Sequence, residues 1–127
     1  MQVIIPAAGK GSRLGELTKN NTKCLVQVNG KALIFRALDN IRFAGIKKVV
    51  IIIGFEGKKL KKALGNKYKD IEITYIENKD YDTTNNIYSI FLAKEEIEKD
   101  DSIILESDII FDKNLLIDLI KDKNKNL

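Results

Sequence analysis

Four short apolar runs alternate with amphipathic helical patterns along the chain, and this alternation constrains the fold more than any other sequence feature. The runs predict strands at Gln2–Ala7, Lys48–Ile53, Ile71–Ile76 and Ser102–Leu105. The second run is almost continuous in valine and isoleucine, as in a strand buried on both faces. Strands that alternate with helices form a mostly parallel sheet between helical layers. The sequence therefore predicts one three-layer α/β domain over residues 1–127.

Helices and turns are predicted between these strands. Leu25–Val28 reads as a short extended piece, and Asn29-Gly30 reads as a tight turn. The predicted helices span residues 31–44, 58–64, 86–98 and 114–121. The first has an apolar stripe of Ile34, Leu38 and Ile41, with Gly45 as its cap. The third is predicted to place Ile87, Ile90, Phe91 and Ile97 on its inner side.

Three polar segments follow predicted strands at their carboxyl ends. A long loop over residues 8–23 follows the first strand, an asparagine-containing loop follows the third, and Asp108 follows the fourth. Ligands of open α/β sheets bind outside the carboxyl ends of the strands. The sequence therefore predicts that these segments converge on one cleft.

The first loop has the composition of a phosphate-binding loop. It contains Gly9, Gly11 and Ser12, and small residues let backbone N–H groups approach an anion closely. Arg13 and Lys23 would supply the positive charge that a triphosphate requires. The spacing excludes both the dinucleotide fingerprint and the Walker loop, because neither the third glycine nor the Gly-Lys-Ser/Thr element falls at the required position.

The combination is more specific than a glycine-rich loop. Ala7-Ala8-Gly9-Lys10-Gly11-Ser12-Arg13-Leu14, followed by Thr22-Lys23-Cys24-Leu25, resembles the N-terminal signature of the nucleotidyltransferase superfamily that makes nucleotide-diphospho sugars and alcohols. Thr22 stands where that family usually has proline, a difference that affects loop stiffness and not charge. The resemblance implies a Rossmann-like, GT-A-like nucleotidyltransferase domain.

The resemblance also implies roles for individual residues. Nucleotide binding would fall to Ala7, Ala8, Gly9, Gly11, Ser12, Arg13, Lys23, Asn85 and Asn86. Arg13 and the loop amides would hold the β- and γ-phosphates, and Lys23 would stabilise charge at the α-phosphate. Asp108 would hold Mg²⁺, the implied cofactor.

Asn85 and Asn86 lie at the start of a predicted helix. One asparagine there is an ordinary N-cap, but capping does not require two in succession. An amide offers both a donor and an acceptor, as a pyrimidine edge requires. The run Asn85–Ser89 also resembles the cytidylyltransferase branch that activates phosphocholine and related acceptors, where this helix start lies beside the base.

Asp108 follows a predicted buried strand, where a carboxylate is a natural Mg²⁺ ligand. The resemblance places the catalytic metal there, although Ser107 replaces the glycine or alanine that usually precedes this aspartate. Asp112 is predicted to cap the last helix. Glu106 shares a strand face with Asp108 and is predicted to be solvated.

Composition limits the alternatives. The single cysteine, Cys24, excludes an internal disulfide and fits a cytoplasmic protein. The lack of histidine excludes serine–histidine hydrolysis and most zinc chemistry. No apolar run is long enough to span a membrane. Residues 1–70 carry a net charge of +11 and residues 71–127 a net charge of −7. No recognition helix or stacking-aromatic motif supports nucleic acid as the partner of the basic half.

The predicted reaction is transfer of a nucleotidyl group, CMP from CTP, to a small phosphorylated acceptor, with release of pyrophosphate. The resemblance covers the N-terminal, nucleotide-binding part of the family, so the acceptor-binding C-terminal portion is expected to be missing. A nucleotide-binding module without turnover, or half of a split enzyme, is the alternative. The acceptor could be a choline-like phosphate or a sugar phosphate, and the sequence does not decide between them. Homo-oligomerisation is also left open. The resemblance implies a pathway that decorates a surface polysaccharide.

Overall fold

The computed structural model describes residues 1–9, 23–107 and 109–122, without the side chains of Lys23 and Asn86. Among the predicted site residues, Gly11, Ser12, Arg13 and Asp108 therefore lie outside the described residues. In these ranges the strands are β1 Gln2–Ala7, β2 Gln27–Val28, β3 Lys31–Ala32, β4 Lys48–Ile53, β5 Lys67–Tyr68, β6 Ile71–Glu77 and β7 Ser102–Ile104. The helices are α1 Leu33–Phe43, α2 Gly57–Leu64, α3 Asn86–Leu92, α4 Lys94–Lys99 and α5 Asn114–Lys121.

Five strands form the main sheet in the order β5-β6-β4-β1-β7. β6, β4, β1 and β7 run parallel, and only the short β5 is antiparallel to its neighbour. Ile5 of β1 lies opposite Ile51 of β4, and Ile4 lies opposite Ile104 of β7. The strand order reverses at β1, so the carboxyl ends of β1, β4 and β6 open on the same edge of the sheet.

The sheet has an apolar core on each face. β1 is fully buried and β4 is buried from Val49 onward. On one face α1, α2 and α5 contribute Leu38, Leu60 and Leu116, each of which is fully buried. On the other face Ala93 packs with Ile4, Val50 and Ile52. Each fully buried leucine or isoleucine stabilises the fold by about 1.5–3 kcal/mol, and the predicted three-layer arrangement is confirmed.

The turn at Asn29-Gly30 is confirmed, with a hairpin around it that the sequence prediction lacked. Both residues have positive φ, 53° and 78°, as in the two-residue turns that match the twist of paired strands. β2 pairs with β3 across this turn. The predicted helix at residues 31–44 therefore begins later, at Leu33, because Lys31 and Ala32 are used in the hairpin.

The predicted inner face of the third helix is wrong for Ile87 and Phe91, whereas Ile97 packs against the core as predicted. The helix ends at Leu92, and α4 begins separately at Lys94 after Ala93 leaves helical geometry. Ile87 and Phe91 are 75% and 63% exposed, whereas Ser89 and Ala93 are buried. Small residues lie inward because α3 packs directly against β1 and leaves no room for large side chains.

Asp39 on α1 links this helix to two edge elements. Its carboxylate accepts a hydrogen bond from the Tyr68 hydroxyl at 2.8 Å and forms ion pairs with Lys31 and Lys69. Burial raises the pKa of Asp39, but the Lys31 and Tyr68 hydrogen bonds and the two ammonium charges together hold it below its usual value of 3.8. Asp39 thus favours the folded state while it is ionised.

Asp39→Asn is expected to lower the free energy of unfolding by about 1 kcal/mol or less at pH 7, because the pairs are partly solvated. The folded-state pKa is lower than the unfolded one, so the stabilisation is present above the unfolded pKa and is lost as pH falls through the folded pKa. Urea unfolding at pH 7 and at pH 3 measures this: the difference between wild type and variant should narrow at pH 3. A difference that stays constant would contradict a charge-based role.

Candidate functional site

The carboxyl ends of β1, β4 and β6 are held in direct backbone contact. The Phe55 N–H donates to the Ala8 carbonyl at 3.1 Å, and the Asn78 N–H donates to the Ile53 carbonyl at 2.7 Å. These bonds join the residues that follow β1 to the turn after β4, and join the residue that follows β6 to the end of β4. The edge of the sheet is therefore a fixed platform.

Gly54 lies at the centre of this platform. A Cβ atom at this position would lie 2.7 Å from the Tyr81 Cβ, 2.8 Å from the Ala8 carbonyl oxygen and 2.9 Å from the Ala8 Cβ. The Phe55 and Tyr81 rings lie next to each other in a tilted arrangement, with centroids 6.2 Å apart and planes at 49°. Only glycine allows the loops after β1 and β6 to approach each other this closely.

A cavity of about 440 Å³ opens where these two loops meet. Its lining residues come from the loop after β1, from the β6–α3 connection and from the first turn of α3: Ala8, Gly9, Asn78, Tyr81, Thr84, Asn85, Ile87 and Ser89. Each of these lining residues is uncharged. Such a wall suits an uncharged, partly aromatic group better than a phosphate.

Asn85 is the N-cap of α3. Its Oδ1 accepts a hydrogen bond from the Tyr88 N–H at 3.2 Å, so the capping role considered for this pair belongs to Asn85. Its side chain also lines the cavity. Asn86 is the first helical residue of α3, and its side chain lies outside the described part of the chain.

Asn78 is the polar residue that sequence reasoning missed. It is 1% exposed, and its Nδ2 donates to the Thr84 hydroxyl at 3.0 Å and to the Ser89 hydroxyl at 3.1 Å. Its Oδ1 accepts from the Asp80 N–H at 3.0 Å. Its only sequence signal is its position directly after a strand, and many solvated polar residues occupy the same kind of position.

The first loop is described only at its two ends. Ala7 ends β1 and is buried, Ala8 and Gly9 line the cavity, and the backbone of Lys23 begins a single 3₁₀ turn over Lys23–Leu25. The structure thus brings the start of this loop beside Asn85. The phosphate-binding roles predicted for Arg13, Lys23 and the loop amides stay predictions.

The chain after β7 continues along β1, because the Leu105 N–H donates to the Ile4 carbonyl at 2.9 Å. Ser107 is then buried, and its Oγ has no hydrogen-bond partner among the described residues. This unsatisfied hydroxyl, adjacent in sequence to Asp108, fits a polar ligand beyond the strand end. Within the described ranges no three histidine, cysteine or acidic residues cluster as a metal site, so the Mg²⁺ ligand stays a prediction.

Two acidic residues, Glu106 and Asp112, lie close to Asp108 in the sequence. Glu106 is exposed. Asp112 Oδ1 accepts from the N–H of Asn114, the first residue of α5, at 2.8 Å, but the N-cap position itself is Lys113, which makes no side-chain capping bond among the residues described. In the part of the chain that the structure describes, no helix is long and apolar enough to cross a membrane.

Comparison with known proteins identifies the family. The family model described as nucleotidyl transferase matches residues 2–126. This chain belongs to the nucleotidyl transferase family. The predicted resemblance is confirmed.

Three relatives with specific activities match this nucleotidyl transferase. The CTP:phosphoglutamine cytidylyltransferase of Campylobacter jejuni is 38% identical over 98% of this chain and 50% of its own length. The CMP-5'-(3-aminopropyl)phosphonate synthase of Streptomyces rubellomurinus is 33% identical over 91% of this chain and 18% of its own length. The solved CTP:phosphocholine cytidylyltransferase of Streptococcus pneumoniae is 36% identical, with a TM-score of 0.69 over 84% of this chain and 44% of its own chain. The present chain thus spans at most about half the length of these relatives.

Proposed function

We propose that this chain binds CTP and serves transfer of CMP to a small phosphorylated acceptor, with release of pyrophosphate. The observation that carries the proposal is the uncharged cavity between the loop after β1 and the start of α3. It has the character expected of a nucleoside site, and the candidate phosphate loop begins at its wall with Ala8 and Gly9. Membership of the nucleotidyl transferase family supports the same reaction class.

The chemistry requires alignment and charge neutralisation. The acceptor phosphate oxygen attacks the α-phosphorus, the bond from that phosphorus to the bridging oxygen breaks, and pyrophosphate leaves. Arg13 and the backbone amides of Gly9, Gly11 and Ser12 would hold the β- and γ-phosphates. Lys23 would stabilise the charge that develops at the α-phosphate. Preorganised donors of this kind supply most of the rate enhancement in such reactions.

Asp108 is the residue proposed to hold Mg²⁺. Bound Mg²⁺ would polarise phosphate oxygens and neutralise their charge. The parallel pairing of β7 with β1 supports this assignment, because the chain that leaves β7 emerges at the same edge of the sheet as the cavity.

The acceptor is proposed to be a small phosphate or phosphonate that carries nitrogen. The names of the three relatives give phosphoglutamine, 3-aminopropylphosphonate and phosphocholine. Each places a nitrogen-containing group a few bonds from the phosphorus. A cytoplasmic location and a part in surface-polysaccharide decoration belong to the same proposal, since CTP-activated groups of this size serve as donors for later transfer.

Calorimetric titration with CTP, UTP, GTP and ATP, each with Mg²⁺, tests the proposal. We expect CTP to bind more tightly than the other three. Pyrophosphate release with phosphocholine as acceptor then separates an active transferase from a nucleotide-binding module, which would bind CTP without release. Equal binding of all four nucleotides, or of none, would contradict the proposal of a cytidine-selective site.

A further inference from the structure

The β6–α3 connection is held by one buried amide. Asn78 uses both hydrogens of Nδ2, one on the Thr84 hydroxyl and one on the Ser89 hydroxyl. Thr84 in turn donates to the Asp80 carbonyl at 2.7 Å, and the Asp80 N–H donates back to Asn78 Oδ1. The side chain therefore ties together the loop before α3 and the first turn of the helix.

Asn78 has no donor left with which to contact a ligand. An amide has two N–H donors, and both are occupied by hydroxyl groups that flank Asn85 in the sequence. Ser89 is 2% exposed, so its contact with Asn78 is shielded from water and is stronger than a surface hydrogen bond. Although Asn78 lines the cavity, the donors of its side chain bind the Thr84 and Ser89 hydroxyls and not a ligand.

The amide of Asn85 differs from that of Asn78, because only its oxygen is engaged in the part of the chain that the structure describes. Its Oδ1 is engaged by the Tyr88 N–H, whereas its Nδ2 has no hydrogen-bond partner among the described residues. Capping fixes the orientation of this amide, and Asn85 lines the cavity, so its N–H donors are available to a ligand there. Cytosine carries adjacent acceptors at O2 and N3, but uracil carries an N–H donor at position 3. Two donors therefore match cytosine and oppose uracil.

We propose that Asn78 is a positioning residue for base selection: through Thr84 and Ser89 it holds Asn85 so that the free Asn85 amide hydrogens meet the acceptor edge of cytosine. This inference rests on the proposed function, since it assigns the cavity to the base of CTP. It adds the side chain that orients Asn85, the asparagine already predicted to contact the base.

Asn78→Ala removes the amide and leaves the Asn78 N–H bond to the Ile53 carbonyl in place. We expect the affinity for CTP to fall about tenfold, as for the loss of one or two neutral hydrogen bonds, and the affinity for UTP to fall much less. The ratio of CTP to UTP affinity should therefore decrease. Lys79→Ala, at the exposed neighbouring position, is the matched control and should keep the wild-type ratio.

A pair of substitutions at Thr84 tests the same contact with a smaller change. Thr84→Val keeps the shape but removes the hydroxyl, so it should lower the ratio as Asn78→Ala does. Thr84→Ser keeps the hydroxyl and should retain the wild-type ratio. If Asn78→Ala fails to fold, this pair still decides the proposal. Selectivity that is unchanged in the folded Asn78→Ala variant, or in Thr84→Val, would overturn it.

Amide hydrogen exchange provides a measurement without nucleotide. The Tyr88 N–H, which is bonded to Asn85 Oδ1, should exchange about tenfold faster in Asn78→Ala and Thr84→Val than in wild type, with Lys79→Ala unchanged. Unchanged Tyr88 exchange overturns the positioning role. Failure of the wild-type protein to bind CTP instead overturns the proposed function, and the two failures are thereby distinguished.

Discussion

Replacing Gly54 with alanine is expected to lower the free energy of unfolding by about 1–3 kcal/mol and to weaken CTP binding by at least about tenfold. The added methyl group would meet the Ala8 carbonyl oxygen at 2.8 Å and the Tyr81 Cβ at 2.7 Å. Neither atom is at the end of a flexible side chain, so the loops after β1 and β6 must separate. Urea unfolding and calorimetric titration with CTP measure the two effects.

Gly45→Ala separates this crowding from general effects of losing a glycine. Among the described residues, a Cβ atom at Gly45 would meet open space, but the φ of this residue is +82°, so alanine there is expected to cost about 1 kcal/mol through backbone conformation alone. Gly45 lies before β4, at the opposite edge of the sheet from the cavity, and CTP affinity should not change. If both variants weaken CTP binding equally, close approach at Gly54 is not what forms the site.

Lys23→Ala is expected to reduce nucleotidyl transfer about 100- to 1,000-fold, the range for removal of one group that stabilises charge in the transition state. The proposed role is at the α-phosphate, where charge increases during attack. The loss should therefore appear mainly in kcat, with a smaller change in the dissociation constant for CTP. The measurement is pyrophosphate release with CTP, Mg²⁺ and phosphocholine.

Lys62→Ala is the matched control for Lys23→Ala. Lys62 is an exposed lysine on α2, so its removal changes the net charge equally. It should leave pyrophosphate release at the wild-type level. Transfer that persists in Lys23→Ala, with circular dichroism like wild type, would remove Lys23 from the mechanism.

Long apolar runs and turn residues were sufficient to predict most of the architecture. The apolar side chains of Val49–Ile53 can all be removed from water only in a strand that is covered on both faces, and the structure buries each of these residues. Asn29-Gly30 predicted a turn because both residues tolerate positive φ. The cavity lies at the carboxyl edge of the sheet, where the sequence predicted a cleft, because the topology of parallel strands determines where their following loops meet.

The remaining features depend on contacts between distant residues. β5 has two residues, too few for any periodicity, and it forms because Tyr68 pairs with Ile71. Ile87 and Phe91 follow a helical apolar pattern yet face outward, because the close packing of α3 on β1 selects Ser89 and Ala93 for the inner side. Asn78 is buried by the folded loop around it, and nothing in its immediate sequence distinguishes it from a solvated asparagine.

The position of β1 between β4 and β7 also determines when this sheet can be completed during synthesis. Gln2 bonds to Ser102, one hundred residues away, and the amino group of Met1 pairs with Asp100 at 2.7 Å. At elongation rates of about 5–20 residues per second, roughly 5–20 s pass between synthesis of β1 and synthesis of β7. Throughout that interval Val3–Ile5 has an unpaired edge and is open to association with other nascent chains. The first strand to be synthesised therefore waits longest for its second neighbour, and slow translation extends the time for which its edge is exposed.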